Sequence, residues 1–203
     1  EYRKLGGNTM VEVTSVGIHR DPVGLLRVSN ATGLNIVMGA GWYQKLYHPA
    51  NMDELTVQDM AEEIVRDVTE GVDGTSIKAG VIGEVGCSWP MTENERKVLR
   101  ASARAQRITG APLLVHPGRD QHAPLEIIDV VREAGILITV TPSQSPIVMK
   151  DWVRPGTHIN AMGADTVGKQ ELASDLVAVA SIYVDSGEQA ITIGECQHAF
   201  KEG

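Results

Sequence analysis

The chain has 203 residues, with 18 Lys and Arg against 26 Asp and Glu and a formal net charge of -8. That balance, with no cluster of basic residues, argues against nucleic acid or an anionic membrane as the main partner, since each needs a Lys/Arg surplus on one face. Two cysteines, Cys87 and Cys196, make no disulfide framework and no CxxC pair, and no apolar run reaches the ~20 residues that span a bilayer.

A reducing, cytoplasmic setting follows from that cysteine usage. The polar opening Glu1-Tyr2-Arg3-Lys4 is not a signal peptide. The absence of an initiator Met leads to the expectation of a natural N-terminus upstream.

Residues 9–18, with Val11, Val13 and Val16, read as a strand. Asp21-Pro22 opens a helix, because Asp caps well and Pro suits the first turn; residues 30–33 close it. Residues 34–38 form a second strand that ends in Gly39-Ala40-Gly41. Thr56 and Asp59 form a capping box for a helix with Met60, Ile64 and Val68 on one face. Residues 77–85 are the next strand. Thr92 and Glu95 then cap a long helix whose inner face carries Val98, Ala101, Ala105 and Ile108, and Gly110 stops it. A short strand at 112–115, a helix at 124–134 with Leu125, Ile128 and Val131 aligned, and a strand at 136–140 complete the alternation.

Strands that alternate with helices predict an α/β fold with a parallel sheet. Periodicity alone admits both a closed barrel and an open doubly wound sheet. Beyond Val140 the texture changes. Residues 141–146 are turn-rich, 157–162 form a strand followed by a Gly-rich loop, 173–180 are helical, 182–184 form a short strand, and the last stretch is helical.

In parallel α/β folds chemistry sits at the carboxyl ends of the strands. Glu84, between Gly83 and Gly86, and His116, followed by Pro117-Gly118-Arg119-Asp120, occupy the ends of consecutive strands. A carboxylate and an imidazole placed there suit a shared zinc-type ion. The residue types alone favour a solvated rim Glu and a structural His. Arg119 and Asp120 can bind an anionic substrate group or form a loop ion pair. Trp89 can wall a pocket or cover the rim, and His122 reads as surface. Residues 163–169 match the GxxxxGK part of a phosphate loop. Gln170 stands where Ser or Thr is required, and the next helix starts too late to aim at a phosphate.

Residues 74–90 (GTSIKAGVIGEVGCSWP), 92–99 (TENERKVL) and 114–119 (LVHPGR) resemble the phosphotriesterase-related proteins of the amidohydrolase superfamily, over roughly residues 6–135. The resemblance implies a (β/α)8 barrel with a two-metal site, usually zinc. Glu84 then takes the place of the metal-bridging carboxylate, and His116 that of the metal-ligand His after the next strand. The family's His-x-His pair is absent here, and after Gly135 the sequence leaves the family. About half of a barrel is present, against the roughly 250 residues of a whole one.

The tail is similar to the ornithine cyclodeaminase/mu-crystallin family, through residues 138–143 (ITVTPS), Trp152, 155–160 (PGTHIN), 163–165 (GAD), 168–172 (GKQEL), 184–186 (VDS), 188–190 (EQA) and 194–195 (GE). That resemblance implies NAD binding on a Rossmann-like unit. Asp165 corresponds to the catalytic Asp, and Thr141, Ser143, His158 and Asn160 lie near the nicotinamide end. The family's Gly-rich dinucleotide loop and its substrate domain are absent.

The chain is therefore expected to be chimeric, with a partial metal-hydrolase barrel at 1–135 and the C-terminal part of a cyclodeaminase-like NAD domain at 136–203. Three functions follow: a metal-dependent hydrolase of a small-molecule ester, amide or phosphoester, incomplete and inactive as an isolated chain; an NAD-dependent cyclodeaminase or imine-reductase-like module; and an inactive α/β fragment that self-associates through exposed sheet edges.

Overall fold

The structure is a computed structural model. It describes residues 1–120, 122–131, 136–139, 142–161, 163–184 and 186–203, with backbone alone at 136–138 and 158. The elements run β1 (Thr9–Glu12), α1 (Pro22–Thr32), β2 (Asn35–Ala40), α2 (Val57–Thr69), β3 (Val81–Gly86), α3 (Glu93–Thr109), β4 (Leu113–His116), α4 (Ala123–Val131), β5 (Ile136–Thr139), β6 (Gln144–Val148), β7 (His158–Ala161), β8 (Gln170–Leu172), α5 (Ser174–Val177), α6 (Gly187–Thr192) and α7 (Gln197–Glu202).

The local signals act as their chemistry dictates. The Asp21 carboxylate accepts from Gly24 N at 2.8 Å, and Pro22 opens α1. Thr56 with Asp59, and Thr92 with Glu95, form reciprocal capping boxes on α2 and α3. Each box satisfies amide groups that a helix start leaves without partners.

One sheet holds six strands in the order β1-β2-β3-β4-β5-β7, and every pair in it is parallel. It curls into a half barrel. A second sheet pairs β6 with β8, also in parallel. Met60 and Ile64 of α2 and Val98, Leu99, Ala101 and Ala105 of α3 pack on Ile82, Val85 and Leu113 of the large sheet, with Trp42 in the same core. Each large apolar side chain buried there contributes roughly 1.5–3 kcal/mol. A second core joins Ile128 of α4 to Ile147, Val148, Leu172, Leu176 and Val177. The tail thus folds down onto α4.

Some elements differ from expectation. The strand expected over 9–18 stops at Glu12, because the Glu12 carboxylate takes the Thr14 N–H at 3.2 Å and also its hydroxyl. Beyond it the Val13 carbonyl accepts the Glu84 N–H at 3.0 Å, and a bridge joins Val16 to Trp42. Ile108 is 68% exposed; ten residues past Val98, at about 100° per residue, the face has rotated away from the core. The turn expected at 141–146 contains the start of β6, whose apolar signal is confined to Ile147 and Val148 and interrupted by Pro146. Strand β8 was hidden by two polar residues, Gln170 and Glu171, that the fold buries. No strand forms at 182–184, where Ile182, Tyr183 and Val184 are all exposed. Helix α5 is shorter than the expected 173–180. Residues 132–135, including the expected seam at Gly135, lie outside the described residues, as does Val140.

Candidate active site

Glu84 is the fourth residue of β3, at a point where the pairing with β4 shifts register between Ile82 and Val85. Such a bulge re-aims a side chain. Gly83 has φ +131, and a Cβ there would lie 2.3 Å from the Leu114 carbonyl oxygen, so only glycine lets β3 approach β4 this closely. His116 ends β4 and is the register partner of Gly86.

The two side chains meet. His116 Nδ1 lies 3.2 Å from Glu84 Oε1, with 42% of the His116 side chain and 28% of the Glu84 side chain exposed. When Nδ1 carries the proton it donates to the carboxylate, which leaves the Nε2 lone pair free. Tyr43 stands edge-on to the His116 ring at 5.7 Å. Burial raises the pKa of the Tyr43 phenol; the Glu84 charge adds to this and the Arg119 charge opposes it.

His116 forms part of the wall of a cavity of about 380 Å³, together with Tyr43, Gln44, Ser88, Trp89, Pro117, Gly118 and Arg119. A Cβ on Gly118 would lie 2.7 Å from Trp89 N, so this glycine lets the loop after β4 press against the loop after β3. Glu95 ties the walls together. Its buried carboxylate accepts from the Ser88 hydroxyl at 2.6 Å, from Thr92 N at 2.8 Å and its hydroxyl at 2.9 Å, and from Lys45 N at 3.1 Å. Burial pushes the Glu95 pKa up, but these donors outweigh it and hold the carboxyl below its ordinary range. Asp120 pairs with His122 rather than Arg119, at 3.0 Å, and the His122 ring, exposed as expected, stacks on Trp89.

Glu84 and His116 offer the donor types zinc takes. A zinc centre needs three or four protein ligands, and among the described residues no group of three His, Cys, Asp or Glu converges. The pair therefore does not fit a complete zinc centre on this chain alone.

The tail residues lie elsewhere. Asp165 is exposed, and its carboxylate accepts from Lys169 Nζ at 2.5 Å and from the Thr166 hydroxyl at 3.0 Å. The Lys169 bond leads the causes that hold its pKa low. Strand β8 follows Lys169 directly, so 163–169 does not open a helix as a phosphate loop must. The Ser143 hydroxyl donates to the Ser145 carbonyl at 2.7 Å. His158 and Asn160 lie on β7 in register with Ile136 and Ile138. Asn160 is exposed, Thr141 lies outside the described residues, and so does the His158 side chain. No described tail element supplies the Gly-rich loop and following helix that a dinucleotide pyrophosphate needs, so the described tail alone does not fit a bound dinucleotide.

Sequence reasoning missed Tyr43, Gln44 and the wider role of Glu95. Tyr43 was within reach of the strand-end rule, since it follows β2 by three residues. The bonds from Glu95 to Lys45 and Ser88 carry no sequence signal.

Fold and site together define a class: a parallel β/α barrel wall that presents a carboxylate and an imidazole at the carboxyl ends of neighbouring strands. Residues 1–149 match the profile of the Phosphotriesterase family, and the chain belongs to that family. Residues 108–202 match the Ornithine cyclodeaminase/mu-crystallin family, so the two matches overlap between β4 and β6. The chain is 47% identical over 134 residues to N-acetyltaurine hydrolase of Danio rerio, covering 66% of this chain and 38% of that protein. It is 49% identical over 135 residues to phosphotriesterase-related protein of Nematostella vectensis, covering 66% and 39%. A resiniferatoxin-binding protein from Rhodobacter sphaeroides superposes with a TM-score of 0.63 at 44% identity, covering 65% of this chain and 37% of that one. The chain thus spans about two fifths of the length of the relatives it matches.

Proposed function

We propose that this chain is a phosphotriesterase-related hydrolase half barrel, with Glu84 and His116 contributing to a zinc site for cleavage of an ester, amide or phosphoester bond. The observation that carries this reading is the 3.2 Å contact between the two side chains at the ends of adjacent parallel strands. Among the three bond types, the name of the relative N-acetyltaurine hydrolase favours an amide. Two donors do not complete the centre, so the isolated chain is expected to show no turnover.

The test is zinc itself. With only two donors the purified chain is expected to take up zinc weakly, so uptake is followed by equilibrium dialysis against excess zinc, and Glu84→Ala or His116→Ala is expected to abolish it. A wild-type chain that takes none sinks the reading.

The profile match over 108–202 supports a second ancestry for the tail; the join near residues 135–136 and NAD as its ligand are carried by the sequence resemblance alone. Millimolar NADH is expected to show no energy transfer from the tryptophans of this chain, and transfer that is lost on Trp152→Phe would restore the dinucleotide reading. No described helix is long and apolar enough to cross a membrane. Both cysteines are free thiols, which supports a cytoplasmic setting.

A further inference from the structure

We propose that His122 positions Trp89, the largest apolar side chain on the wall of the cavity beside His116, and fastens it when the imidazole takes up a second proton. The two rings then form a clamp that makes the cavity wall firmer in mild acid than in mild base. This deepens the reading of that cavity as the hydrolase site and rests on it.

Trp89 is seated at its backbone and loose at its ring. A Cβ on Gly118 would lie 2.7 Å from Trp89 N and 2.8 Å from Trp89 Cβ, so the loop after β4 presses directly on the Trp89 main chain. The side chain beyond is exposed. Among the described residues its indole N–H has no hydrogen-bond partner, and the ring that lies against it is His122, with centroids 6.1 Å apart and planes 27° apart. That spacing suits offset stacking. It is also at the outer reach of a cation over an indole face, the best of the aromatic acceptors.

The charges around His122 favour its proton. Asp120 accepts from the His122 backbone N–H at 2.8 Å and lies 3.0 Å from its Nδ1. The backbone bond leads the causes that hold the Asp120 carboxyl below its ordinary range, so Asp120 is charged wherever a histidine titrates. Arg119 on the same loop and the N-terminal end of α4, which begins at Ala123, oppose a further positive charge. Asp120 acts from hydrogen-bond distance, where Coulomb attraction is largest. Glu126 on α4 is paired with Arg96 of α3, and Ser88 and Pro90, the neighbours of Trp89, are uncharged. An imidazolium held by Asp120 therefore presents its face to Trp89. A neutral ring keeps the stack and loses the cation.

The test uses the full chain without metal. Acrylamide quenching of Trp89, taken as the difference between the chain and Trp89→Phe, is read at pH 8 and pH 6. Access to Trp89 is expected to fall about twofold at the lower pH, the low end for a cation–π contact at an exposed site. The Trp89 indole N–H resonance, shifted by the His122 ring, gives the same reading on the unaltered chain. His122→Phe keeps a stacked ring and is expected to hold Trp89 equally at both pH values. His122→Ala is expected to leave it loose at both. Equal access at the two pH values in the wild-type chain, or a pH change that survives His122→Phe, overturns the proposal. Zinc uptake, measured separately on Glu84→Ala, reports on the hydrolase reading.

Discussion

Arg20 shows how much one side chain organises away from the cavity. Its guanidinium donates to Asp67 Oδ2 at 2.6 Å and grips both oxygens of Asp73 at 2.7 and 2.9 Å. The Arg20 and Asp67 side chains are only 5% and 7% exposed. Burial raises the Asp67 pKa in spite of Arg20, which says that its charge is costly where it sits. Such a pair does not add much stability over an apolar replacement, but losing one partner strands the other. Arg20→Met is therefore expected to cost about 3–5 kcal/mol in urea unfolding at neutral pH. The double variant Arg20→Met, Asp67→Asn is expected to recover part of that loss. A single variant within 1 kcal/mol of wild type, on the order of a surface pair, would refute the buried-partner account.

At the scale of elements, the C-terminal segment is held to the sheet by side chains that cap backbone. Glu195, between α6 and α7, accepts the Glu171 N–H at 2.9 Å and the Leu172 N–H at 2.5 Å, both on β8. Gln197, fully buried, accepts from Gly168 N at 2.9 Å and donates to the Lys169 carbonyl at 3.1 Å. Burial, aided by the Glu171 charge and opposed by the two N–H donors, pushes the Glu195 carboxyl up from 4.5 to about 7. A carboxyl whose folded pKa is raised binds its proton more tightly when folded. Stability then falls as pH rises from the unfolded value toward the folded one. The melting temperature is expected to fall between about pH 4.5 and 7 through this group. Glu195→Gln keeps an acceptor and removes the charge, so it is expected to flatten that fall. His48, lowered by burial, has the opposite slope, and Glu63 and Asp67, both raised by burial, the same one. The difference between variant and wild type isolates Glu195. Identical pH slopes for the two proteins would show that its ionisation is not coupled to folding.

The molecule as a whole was legible where local chemistry dictates structure. The capping residues Asp21, Thr56 and Thr92 and the apolar faces of α2 and α3 fixed the β/α alternation. The strand-end rule picked out Glu84 and His116 before their contact was seen. It could not show how Glu95 joins two loops, or that Glu171 would be buried under the Thr139 hydroxyl at 2.9 Å, because those contacts cross 50 and 32 residues of chain. The open sheet has a further consequence. Among the described residues strand β1 pairs on one side only; Met10 and Val11 are exposed on it, and Val23, Leu26 and Val28 are exposed on α1. An exposed strand edge that carries apolar side chains is a template for another chain. The net charge of -8 opposes association, and salt screens that repulsion. The chain is expected to form dimers or larger species in light scattering, more so as salt is raised. Val11→Lys, which puts charge on the edge, is expected to restore the monomer. A wild-type monomer that stays monodisperse in high salt would mean that this edge is not available for pairing.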